Sequence, residues 1–85
     1  MTLGEYRVGV NFNPSKDNAV DRLKALAAAF IDECARQKPP GAAALLKYMD
    51  LADEKRELYD RAMRDIESGA MWAVKAATKP PRQED

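Results

Sequence analysis

Two apolar helical seams, separated by a double proline, constrain this chain more than any other feature. One seam reads Val20, Leu23, Ala27, Phe30, Ile31 and Cys34. The other reads Leu51, Leu58, Ala62, Ile66, Ala70, Ala73, Val74 and Ala77. Residues three, four and seven apart share one face of an α-helix, so each set predicts a buried stripe. Between them, Lys38-Pro39-Pro40-Gly41 cannot continue a helix, because proline lacks the N–H donor and clashes with the preceding turn. The pattern predicts an all-α fold, an antiparallel two-helix hairpin. Two helices alone bury little surface, so a homo-oligomer is expected.

Size points the same way. The 85 residues make one domain, 1–85, and a chain this short buries roughly 60% of its unfolded surface. Domains of this size lean on disulfides, a metal or self-association. Cys34 is the only cysteine and there is no histidine, so neither an internal disulfide nor a metal site is expected. Cys34 lies on the apolar seam and reads as a small buried hydrophobe, with a reactive thiol as the alternative.

The charges balance, 14 basic against 14 acidic. The chain therefore has no global attraction for DNA, RNA or an anionic membrane. No apolar run approaches the ~20 residues of a membrane span, and the first residues lack the basic and apolar regions of a signal peptide. A reduced, cytoplasmic setting is expected.

Along the chain, residues 1–16 read as an extended arm. Tyr6, Val8, Val10 and Phe12 alternate with Arg7, Gly9, Asn11 and Asn13, and Gly4 and Gly9 count against a helix. Asn13-Pro14-Ser15 is a turn signal. Ser15 or Asp17 can cap a first helix over 17–37. Residues 38–49 form a connection, in which 42–49 are either a short helical turn or the front of the second helix. That second helix is expected over 50–78, ended by Pro80-Pro81, with 79–85 as a frayed tail.

Catalysis is not expected. The chain has no Cys–His, Ser–His or metal-ligand set, no glycine-rich phosphate loop, and adjacent carboxylates that diverge around the helix. No cofactor is implied. Binding is better supported. Lys24 sits near the edge of the first seam, and Lys75 stands inside an otherwise apolar helix end. Tyr6, Arg7 and Phe12 place aromatics and a cation in the arm. Aromatic faces and cations together suit a nucleotide's base and phosphate. In the competing reading Trp72 is core, Lys75 extends to solvent, and Tyr6 covers an apolar edge.

The stretch Arg7-Val8-Gly9-Val10-Asn11-Phe12-Asn13-Pro14-Ser15, with Val20-Asp21-Arg22-Leu23-Lys24, resembles the opening of a phage protein family. Ala70-Met71-Trp72-Ala73-Val74-Lys75-Ala76-Ala77-Thr78 resembles that family's closing signature. These are helical-hairpin sponges, the anti-CBASS and anti-Thoeris hairpin domains, which capture nucleotide second messengers of bacterial defence. The resemblance implies hexamers holding cyclic dinucleotides, such as cyclic GMP-AMP, or cyclic trinucleotides, between subunits without turnover. It implies Tyr6 stacked on a base, Lys24 against a phosphate, and Lys75 in a cationic role that is arginine in some members. Phe12 is the alternative stacking ring. Arg7, Asn13, Ser15 and Thr78, inside the matched stretches, complete the candidate ligand set. The reading that competes is a homo-oligomeric structural or adaptor hairpin with no small-molecule ligand. A single-stranded nucleic-acid binder is disfavoured by the zero net charge.

Overall fold

A computed structural model describes residues 1–40 and 49–82. It contains three helices, α1 (Leu3–Val8), α2 (Asn18–Gln37) and α3 (Met49–Ala77), and no strand among the described residues. Asp17 caps α2 by accepting the Ala19 N–H at 2.7 Å, satisfying one orphan donor of the first turn. At the other end Lys38 is extended (φ −62°, ψ 126°), the conformation that a following proline imposes.

α2 and α3 pack antiparallel. Val20, in the first turn of α2, borders the same cavity as Val74 and Thr78. Further along, Ile31 and Cys34 pack on Met63, with Val8, Tyr59, Ala62 and Ile66 around them. Lys38 then reaches Asp60 at 2.7 Å, and the Arg56 guanidinium donates to the Pro40 carbonyl at 2.7 Å. The Lys38 hydrogen bond holds the Asp60 carboxyl below its ordinary value. The molecule measures 64 × 27 × 13 Å, so its short dimension is one helix thick.

The N-terminal segment corrects the expectation of an extended arm: residues 3–8 are helical. Thr2 and Glu5 form a reciprocal cap in which the Thr2 hydroxyl accepts the Glu5 N–H at 3.1 Å. The Glu5 carboxylate in turn accepts the Thr2 N–H at 2.7 Å, two orphan donors satisfied together. Gly9 ends the helix in the left-handed region (φ 65°), where glycine is unstrained. Gly4, which reads as a helix breaker, is the contact residue. Its N–H donates to Asp32 at 2.7 Å, and a Cβ there would lie 2.1 Å from the Ala28 carbonyl oxygen. Tertiary contact overrides propensity.

The buried stripes are also rotated from those expected. On α2 the buried positions are Val20, Lys24, Ala27, Ala28, Ile31 and Cys34, so Lys24 and Ala28 replace Leu23 and Phe30. Leu26 is exposed and Phe30 is 48% exposed. On α3, Leu51, Leu58 and Ala77 are exposed, whereas Tyr59, Ala62, Met63 and Ile66 face the core. On α2 the reason is the N-terminal segment: α1 docks at Ala28 and Asp32, and the turn after it covers Lys24. Trp72 is exposed, so the competing reading that places it in the core does not hold. Cys34 is buried, as a core residue. The expectation for residues 42–48, and the end of the tail, lie outside the described residues.

Candidate functional site

The site is built where the turn after α1 meets the start of α2 and the end of α3. Gly9 reverses the chain, and the Phe12 N–H closes the turn on the Gly9 carbonyl at 2.9 Å. That turn aims two carbonyls at Lys24. The ammonium donates to Gly9 O at 2.9 Å and also to Phe12 O, and it lies 5.5 Å from the Phe12 ring centroid, within cation–π range. Lys24 is only 7% exposed and pairs with no carboxylate among the described residues. Lys24 is therefore not at the edge of the apolar seam but inside it. It is a buried cation that fixes the backbone of the turn.

Phe12 itself remains open, 71% exposed. Its ring, Lys24 and Val74 are shared by two adjoining cavities. The larger, about 430 Å³, is walled by Val8, Ala70, Met71 and Val74 and has Arg7, Lys24 and Glu67 as its polar groups. The smaller, about 230 Å³, continues past Asn13, Ser15 and Thr78. Mostly apolar walls with a few convergent polar groups are the usual composition of a small-molecule site.

Asn13 and Ser15 have local duties. Asn13 donates to the Asp17 carbonyl and to the Asp21 carboxylate, both at 2.9 Å. Ser15 donates to Asn13 at 2.8 Å and accepts the Asp17 N–H at 3.3 Å. The network rigidifies the turn, and most of its hydrogen-bonding capacity is already used. Arg7 is paired with Glu67 at 3.2 Å, joining α1 to α3. Thr78 donates to Val74 O at 2.8 Å.

Six of the eight predicted site residues therefore border the paired cavities: Arg7, Phe12, Asn13, Ser15, Lys24 and Thr78. Two do not. Tyr6 lies on α1 and borders a separate cavity of about 340 Å³ on the other side of Phe12, with Glu5, Val10 and Asn11. Lys75 is not among the lining residues of the groove, and its ammonium lies 5.5 Å from the Trp72 ring centroid. Sequence reasoning missed Glu67, Ala70, Met71 and Val74 as groove residues. Their spacing of three, four and seven, with Thr78 four further on, is the signal that finds them, because it marks one face of α3.

The architecture is a small helical hairpin whose two ends of sequence close on one groove. Residues 5–78 match the Acb2/Tad1 hairpin domain, and the chain belongs to that family, the anti-CBASS and anti-Thoeris sponge hairpins. No curated protein and no solved structure matches the chain. No helix among the described residues is long and apolar enough to cross a membrane.

Proposed function

We propose that this protein is a phage anti-defence sponge that sequesters cyclic oligonucleotide second messengers without hydrolysing them. The ligands are cyclic dinucleotides such as cyclic GMP-AMP, with cyclic trinucleotides as a second class to test, and the setting is the host bacterial cytoplasm. The observation that carries the reading is the groove itself. It sets an open aromatic ring, Phe12, against a buried cation, Lys24, at the meeting point of the two family signatures. An ammonium buried without a counter-charge is costly, and an anionic ligand supplies the missing charge. Two of its three N–H donors hold the turn, leaving one for a phosphate oxygen. Phe12 lines this groove and Tyr6 does not, which supports Phe12 as the ring that stacks on a base. Lys75, beside Trp72, contributes only if a neighbouring subunit brings it to the ligand.

Self-association fits the same reading. Leu26 and Phe30 share one face of α2, Leu51 and Leu58 share one face of α3, and all four are exposed in the isolated chain. We take the assembly to be a homohexamer built from dimers, covering those faces.

The test is thermal unfolding with a panel of cyclic nucleotides. A ligand at 100 times its Kd adds about 2.7 kcal/mol to native stability. A shift in the parent that shrinks in Phe12→Ala supports the sponge. No shift with any nucleotide returns the chain to the adaptor reading.

A further inference from the structure

The polar groups of the larger cavity divide unequally. Lys24 has two of its three donors on backbone carbonyls and the third assigned to phosphate, so the groups left to recognise a base edge are Arg7 and Glu67. They touch through one contact, Arg7 Nη2 to Glu67 Oε2 at 3.2 Å. A guanidinium has five donors and a carboxylate about four acceptor positions, so most of the capacity of both groups is free. Their side chains are 20% and 40% exposed, and a pair so open to solvent contributes little to stability. Yet it stands between walls made of Val8, Ala70, Met71 and Val74, where a flat ring would be held by its faces.

We propose that Glu67, oriented by Arg7, selects guanine over adenine, so that the preferred ligand is a guanine-bearing cyclic dinucleotide. The inference rests on the nucleotide-binding reading above. The Watson–Crick edge of guanine offers two adjacent donors, N1–H and N2–H, beside the O6 acceptor. A carboxylate accepts from both donors, and the neighbouring guanidinium donates to O6 or N7. Adenine presents an acceptor at N1 where guanine has a donor, so it meets the Glu67 oxygens lone pair to lone pair. A site built on acceptors rejects a base that cannot donate, because its own groups are left unpaired.

The experiment is calorimetry on the full chain with cyclic di-GMP and cyclic di-AMP as probes. The parent is expected to favour cyclic di-GMP by roughly ten- to a hundredfold, the range of one good bidentate base contact. Glu67→Gln keeps an oxygen for Arg7 but replaces the other acceptor with a donor. It should bring the two affinities to within about threefold, chiefly by weakening cyclic di-GMP. Glu67→Asp, which keeps the charge on a shorter stem, is the second variant and should also lose most of the preference. Helical circular dichroism checks that each variant is folded. Equal affinities in the parent, a preference for cyclic di-AMP, or an undiminished ratio in both variants overturns the guanine assignment while leaving nucleotide capture intact. A parent that binds neither probe nor any other cyclic nucleotide overturns the functional reading and this inference together.

Discussion

Replacing Gly4 with alanine separates tertiary contact from helix propensity by the sign of its effect. In an unconstrained helix the change stabilises by about 1 kcal/mol. Here the new Cβ would fall 2.1 Å from the Ala28 carbonyl oxygen and 2.8 Å from its Cα, both backbone atoms that no rotamer can move. To reach ordinary contact at 3.4 Å or more, α1 must retreat from α2 by about 1 Å or more. The 2.7 Å hydrogen bond from Gly4 to Asp32 is then stretched beyond bonding range. A hydrogen bond to a charged acceptor contributes about 1.5–3 kcal/mol, and overpacking adds about 1–3 kcal/mol. Less the propensity gain, the net loss is about 1.5–5 kcal/mol. At about 4–8 °C per kcal/mol for a domain of this size, the melting temperature should fall by about 6 °C or more at fixed protein concentration. Thermal unfolding followed by circular dichroism reads this. An unchanged or raised melting temperature would refute the docking of α1 described here.

Three further outcomes follow from the same geometry. Lys24→Met leaves the Phe12 carbonyl without its donor and the Gly9 carbonyl with only the Phe12 N–H, and should destabilise the protein by about 1–3 kcal/mol, whereas Phe12→Ala, at an exposed ring, should change stability by less than about 0.5 kcal/mol; denaturant titrations of both check the contrast. Phe30→Asp, on an exposed face, should dissociate the proposed homo-oligomer while the subunit stays helical, but Ile31→Asp, with no exposed surface, should unfold it; light scattering with circular dichroism distinguishes them. The carboxyls of Glu5, Glu33 and Asp60 are held low by hydrogen bonds from the Thr2 backbone and side chain, from Arg36, and from Lys38 respectively. Groups with depressed folded values stabilise above their unfolded values of about 4 and lose that contribution as pH falls through the folded values, so melting temperature should drop below about pH 4 and stay flat from pH 5 to 7, where a chain without histidine has no side chain of ordinary pKa to titrate.

The long helices are legible in the sequence because apolar spacing over many turns outweighs any single residue, and Pro39-Pro40 marks their break without ambiguity. The short helix α1 is not. The alternation of Tyr6, Val8, Val10 and Phe12 mimics a strand, and Gly4 reads as a breaker until Ala28 stands opposite it. The rotation of the buried stripe on α2 has the same origin, since a helix docked from residues 3–8 decides which edge is covered. Within the site, Phe12 and Lys24 are recognisable as an aromatic and a cation in the right stretches. The burial of Lys24 is invisible, because its partners are backbone carbonyls of a turn. Glu67 is hidden for a different reason: an acid on a helix rich in acids acquires meaning only when Arg7 meets it across the groove.

Recovery of ligand from the protein tests the central claim most directly. The protein is loaded with cyclic GMP-AMP, freed of unbound nucleotide, denatured by heat, and the released material is identified by mass spectrometry. The account predicts nucleotide of unchanged mass, in the stoichiometry that calorimetry gives for binding, after any length of incubation. No retained nucleotide from any member of a cyclic-nucleotide panel, or recovery as a linear hydrolysis product, would contradict it.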